Sequence, residues 1–147
     1  MFPRKYRIHA FLALMALVII FYPSYRRKPD QQRIDTSSAA AVAFLQQVDE
    51  GQYAQSWEAC SAYLKKDIPQ QEWVERLSAV RAATGKLLDR KQKNYIYTKE
   101  PKEGIPEGEY MVYVFSSKFT DKDELTETVT LMLEKDNAWR VAGYFIE

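Results

Sequence analysis

The stretch Trp73–Thr98, WVERLSAVRAATGKLLDRKQKNYIYT, changes its hydrophobic period part-way along. Before Gly85, Trp73, Leu77 and Val80 recur at spacings of four and three, which places them on one face of a helix. After Gly85, Leu87 to Thr98 alternates charged and apolar residues around Tyr95, Ile96 and Tyr97, which is the period of a strand. Gly85 stands at the change, where a residue without a Cβ can stop a helix.

Upstream of that switch the chain is helical. Tyr53, Trp57, Cys60 and Leu64 form one stripe, predicting a helix over about 53–66. Asp67-Ile68-Pro69 ends it, and Pro69 suits the first position of the helix that runs to about Ala83. Further back, Thr36-Ser37-Ser38 offer N-caps with Asp35 beside them. Ala41, Leu45 and Val48 then share a face, with Val42 and Phe44 alongside, up to Asp49-Glu50-Gly51.

Downstream the chain is extended. Glu100 to Glu109 reads as a Pro/Gly loop. Tyr110 to Phe115 reads as a strand buried on both faces. Leu125 to Glu134 alternates, with Leu125, Glu127, Val129, Leu131 and Leu133 on one face and Thr126, Thr128 and Thr130 on the other. Asp136-Asn137 supplies a turn, and Trp139 to Ile146 is the last strand. Three helices followed by four antiparallel strands define an α+β domain over 36–147, with the sheet burying one face against the helices. Aromatics at 14% provide enough apolar bulk for that core; Trp57, Trp73 and Trp139 are assigned to it.

The first 28 residues read differently. Ala10–Tyr22, AFLALMALVIIFY, is uncharged and flanked by Arg4, Lys5 and Arg7 on one side and Arg26-Arg27-Lys28 on the other. Thirteen apolar residues are too few to cross a bilayer, but the span of about 8–25 suffices. A cleaved signal peptide competes with an uncleaved signal anchor. FYPSY places bulky residues where a cleavage site needs small ones, which favours the transmembrane anchor. Residues 29–35 read as a polar linker. Three cations on each side leave orientation undecided by charge; an export-type leader keeps its N-terminus inside.

Charge and inventory limit the chemistry. The net charge of +1 conceals six cations and no acid in residues 1–28, leaving fifteen cations against 20 acids in the remainder, a net of −5. An acidic body argues against nucleic acid as a partner. The single histidine, His9, lies in the apolar segment, so His-based catalysis and His–metal sites are excluded from the folded domain. No phosphate-binding Gly loop is present, and no cofactor or metal is expected. Cys60 reads as a small core hydrophobe. Carboxylate-only catalysis stays open. Its best candidate is Glu127 on an apolar stripe, with Asp89 next; the plainer reading of Glu127 is a partner Arg across the sheet, or solvent at the sheet end. Arg81 and Arg90 bracket Gly85: Arg81 braces the helix-to-strand corner, or one of the two meets an anionic ligand.

Four segments together resemble the bacterial domain-of-unknown-function family numbered 4019. They are FLQQVDEGQYAQSWEACSAYLK (Phe44–Lys65), the spacing W-x7-R-x3-G-x4-R (Trp73, Arg81, Gly85, Arg90), IPEGEYMVYVFSSKF (Ile105–Phe119) and WRVAGYFIE (Trp139–Glu147). The family's usual Pro-Gly is replaced by Ile105-Pro106-Glu107-Gly108, a change within a loop. The resemblance covers about 39–147. It implies an exported or envelope-associated domain and a fold similar to the cystatin-like, nuclear-transport-factor-two-like cone of three helices on a curved four-stranded antiparallel sheet. It implies no activity.

The expected protein is therefore a single-pass protein of the bacterial inner membrane with its C-terminal domain in the periplasm. The leading function is a non-catalytic module binding a small ligand or an envelope protein. Its cleft is expected between the third helix and the sheet, rimmed by Arg81, Arg90 or Tyr144, with Glu127 as a further contact. One alternative is an enzyme using Glu127. Another is a structural protein that self-associates through sheet or helix. Oligomeric state is not legible in the sequence.

Overall fold

The computed structural model describes residues 28–99 and 101–147. The expected membrane segment, 8–25, lies outside the described residues. Among the described residues no helix is long and apolar enough to cross a membrane.

Helix α1 spans Gln31–Asp49. The segment 29–35, expected as a linker, is instead largely its first turn. Asp30 is the N-cap: its carboxylate accepts from the Arg33 backbone N–H at 2.8 Å. Arg33 then holds Glu109 in a fork, Nε at 2.6 Å and Nη2 at 3.0 Å, tying the turn to the sheet. Thr36 and Ser37, expected as caps, lie inside the helix and donate back to the Gln32 and Arg33 carbonyls.

The expected second helix is two short ones, α2 (Tyr53–Glu58) and α3 (Ala62–Asp67). The break at 59–61 has a cause 80 residues away. Ser61 N–H donates to the Val141 carbonyl at 2.8 Å and Val141 N–H donates to the Ala59 carbonyl at 3.0 Å. Those groups would otherwise serve the helix. Ser61 also caps α3, accepting from Leu64 N–H at 3.2 Å. Helix α4 spans Gln70–Thr84, with Pro69 at its N-cap. Among the described residues the domain thus carries four helices rather than three.

Gly85 adopts φ 77° and ψ −155°, a region essentially restricted to glycine. Strands β1 (Leu87–Thr98), β2 (Tyr110–Phe119), β3 (Leu125–Leu133) and β4 (Trp139–Ile146) follow as an antiparallel meander in the order β1-β2-β3-β4. β2 is longer than expected and is not buried on both faces: Met111, Tyr113, Phe115, Ser117 and Phe119 are buried, while Val112, Val114 and Ser116 are half-covered. Among the described residues no helix covers the sheet's other side, so a continuous apolar run is only half submerged. β3 turns Glu127, Val129 and Leu131 inward, as its alternation requires.

The core forms where that inner face meets Phe44, Leu45 and Val48 of α1 and Trp73 and Leu77 of α4. Two tryptophans are buried and Trp57 packs against the cluster. Each indole N–H finds an acceptor: Trp73 on Ser56 Oγ, Trp139 on Thr36 Oγ1, Trp57 on the Ile68 carbonyl. The apolar packing gives way to charge near the Gly85 corner.

Candidate functional site

Four elements converge at that corner. α1 ends on Asp49, α4 presents Arg81 in its last turn, β1 presents Arg90, and β3 presents Glu127. The four residues singled out from the sequence, Arg81, Arg90, Glu127 and Tyr144, are brought together, joined by Asp49 and Ser117.

Glu127 is 0% exposed. Arg90 grips it with Nε–Oε2 at 2.6 Å and Nη2–Oε1 at 3.1 Å. Ser117 donates to Oε2 at 2.5 Å and Tyr144 donates to Oε1 at 2.6 Å. Each carboxylate oxygen therefore receives two donors, which fills its acceptor capacity. Arg90 simultaneously clasps Asp49 with Nη1 at 2.6 Å and Nη2 at 2.9 Å. Arg81 reaches Asp49 at 2.7 Å, stands 3.6 Å from Glu127, and lies over the Phe119 ring. Arg81 Nε and Nη1 are buried without a hydrogen-bond partner among the described residues. Two guanidinium groups and two carboxylates balance formally.

Burial alone would push the Glu127 carboxyl upward; the Arg90 hydrogen bonds and charge, with Ser117 and Tyr144, outweigh it and hold the group below its ordinary range. Burial and the Glu127 charge push the Tyr144 hydroxyl upward, so it remains a donor. A saturated, ionised carboxylate has no free lone pair to take a substrate proton and no proton to give. Asp89 is exposed on β1, pairs with Lys91 at 3.6 Å, and has no place in the cluster.

Arg81 and Arg90 thus face inward rather than opening onto the expected cleft. The cleft itself exists as a groove of about 580 Å³ between α3, α4 and the outer side of β4. Leu64, Trp73, Leu77 and Val80 form its apolar wall, and Ala142 to Ile146 form the other. Of the expected rim residues only Tyr144 lines it; the arginine present is Arg76. Arg90 instead borders a smaller hollow, about 340 Å³, between α1 and β1.

Asp49 and Ser117 escaped the sequence reading. Asp49 looks like any helix-end acid. Ser117 carried a faint signal, a small polar residue at an inward position of the run Met111, Tyr113, Phe115, Ser117, Phe119. Among the described residues no group of three or more His, Cys, Asp and Glu is placed to hold a metal ion.

Fold and site define a small α+β domain, a helix-roofed antiparallel meander locked at one corner by an internal charge network. The chain belongs to the family described as "Protein of unknown function (DUF4019)", whose family model matches residues 40–144, from within α1 to Tyr144. No curated protein matches the sequence.

Proposed function

We propose that this chain is a non-catalytic binding module, tethered to the bacterial inner membrane by residues 8–25 and carrying its domain in the periplasm. The observation behind the binding role is the groove beside β4. It is open to solvent, its walls are apolar, and its volume suits a small ligand or a partner's side chains. The helix-over-sheet architecture fits the cystatin-like, nuclear-transport-factor-two-like cone. Glu127 supports the non-catalytic reading, because its four donors leave it no reactive capacity. The tether rests on the apolar run and its flanking cations.

Trp73 lines the groove and Trp139 does not, which gives the test its selectivity. With 5-fluorotryptophan in the full chain in lipid nanodiscs, millimolar indole is expected to shift the Trp73 fluorine resonance and leave Trp139 in place. Val80→Arg should block the shift. Equal shifts at both tryptophans, or a Trp73 shift that survives Val80→Arg, would count against the groove. Protease shaving of spheroplasts tests the compartment: a periplasmic domain is digested without lysis.

A further inference from the structure

One wall of the groove is backbone. β4 is an outer strand, and its rim at Val141 is already occupied by Ala59 to Ser61, which bridge to it in parallel at Cys60. Beyond the bulge at Ala142 the rim continues into the groove. Thr126 and Glu147 exchange both N–H···O bonds, at 2.7 and 3.0 Å. Hydrogen-bonded and non-hydrogen-bonded pairs alternate along an antiparallel ladder. Ile146, opposite Glu127, and Tyr144, opposite Val129, are therefore of the second kind. Their N–H and C=O groups point away from β3, along the groove that both residues line.

The two outer strands differ in protection. β1 carries Asp89, Arg90, Lys91 and Lys93 and two register irregularities, devices that discourage strand pairing. From Gly143 to Ile146, β4 has no charge and no proline, and Phe145 is 67% exposed. The charged groups at the groove, Asp67 and Arg76, have opposite signs, so the rim sets no net preference for a charged occupant.

We propose that the groove takes an extended peptide segment by strand addition, its backbone pairing with Tyr144 and Ile146 along the line that Ala59–Ser61 already occupies at Val141. Alternate side chains of the segment, apolar and of moderate size, drop between α4 and β4 onto Trp73 and Leu77. The inference rests on the binding-module reading and names the occupant's chemistry.

The test uses the ¹⁵N-labelled full chain in nanodiscs and the peptide acetyl-Lys-Val-Thr-Val-Thr-Val-Lys-amide at about 1 mM. Amide exchange at Tyr144 and Ile146 is expected to slow roughly tenfold on its addition. Of two versions N-methylated on the valines or on the threonines, one should lose this protection. If these amides stay unprotected while indole still shifts Trp73, strand addition is wrong and the groove reading survives; if neither probe acts, both fall. Protection before any peptide is added, with two chains per particle by light scattering, would assign the edge to a second copy and overturn the proposal.

Discussion

Glu127 shows how one buried charge is made tolerable. Removing a carboxylate from water is costly unless its partners are in place, and here two guanidinium N–H groups and two hydroxyls supply them. Glu127→Leu alone leaves Arg90 and Arg81 with an excess of buried positive charge and is expected to cost about 3–5 kcal/mol in guanidinium unfolding. Adding Arg90→Met should recover part of that loss; strict additivity of the two would argue that they do not act as a pair. The pH dependence has a definite sign. Glu127 is held below its ordinary range, and Glu109, hydrogen-bonded first by Arg33, is held at about 2. Both carboxyls titrate lower in the folded chain than in the unfolded one. Their contribution is present above about pH 4.5 and fades as pH falls toward the folded values. Urea midpoints should drop over that interval, and Glu127→Gln should flatten the drop. Cys60 behaves oppositely: burial pushes its thiol up to about 12, so a disulfide reagent should label it only as fast as the chain unfolds.

The elements are shaped by what stands at their ends. Gly85 is required twice over, by its positive φ and because a Cβ there would lie 2.0 Å from Thr120 Oγ1. Gly85→Ala should cost at least the upper part of the range of about 1–3 kcal/mol typical of a strained backbone, read from the denaturation midpoint. Asp30→Ala tests where α1 begins. Loss of the cap should cost about 1 kcal/mol and speed amide exchange in the first turn, whereas a true linker at 29–35 would show neither effect. The period switch at Gly85 was legible because periodicity is a local property of the chain. The break between α2 and α3 was not. Tyr53, Trp57, Cys60 and Leu64 keep helical spacing across it, and only the rim of β4 draws Ala59 and Ser61 out of the helix.

At the scale of the whole molecule, the start of α1 decides how the domain would stand on a membrane. Arg33 pins that start to Glu109, at the end of the sheet that carries the β1–β2 connection. From Tyr25, where the proposed anchor ends, to Gln31 the chain reaches at most about 20 Å. The end bearing Ile105 should therefore face lipid and the β2–β3 connection should face away. In a Cys60→Ala background, a fluorophore on Ile105→Cys should be quenched by headgroup-linked nitroxides more than one on Asp123→Cys. The reverse order would refute this orientation.

The order and type of the elements, the inward face of β3 and the burial of Trp73 and Trp139 follow from the chain's own patterning, because each depends on neighbours a few residues apart. Residue type and spacing also marked Arg81, Arg90 and Glu127. What they do was decided only in three dimensions. Glu127 lies 37 residues from Arg90, and Asp49 lies 32 and 41 residues from Arg81 and Arg90. Periodicity reveals which way a side chain points and is silent on what it meets; strand register and helix placement join these charges, turn Arg81 and Arg90 away from the groove, and, among the described residues, leave a length of β4 uncovered beside it.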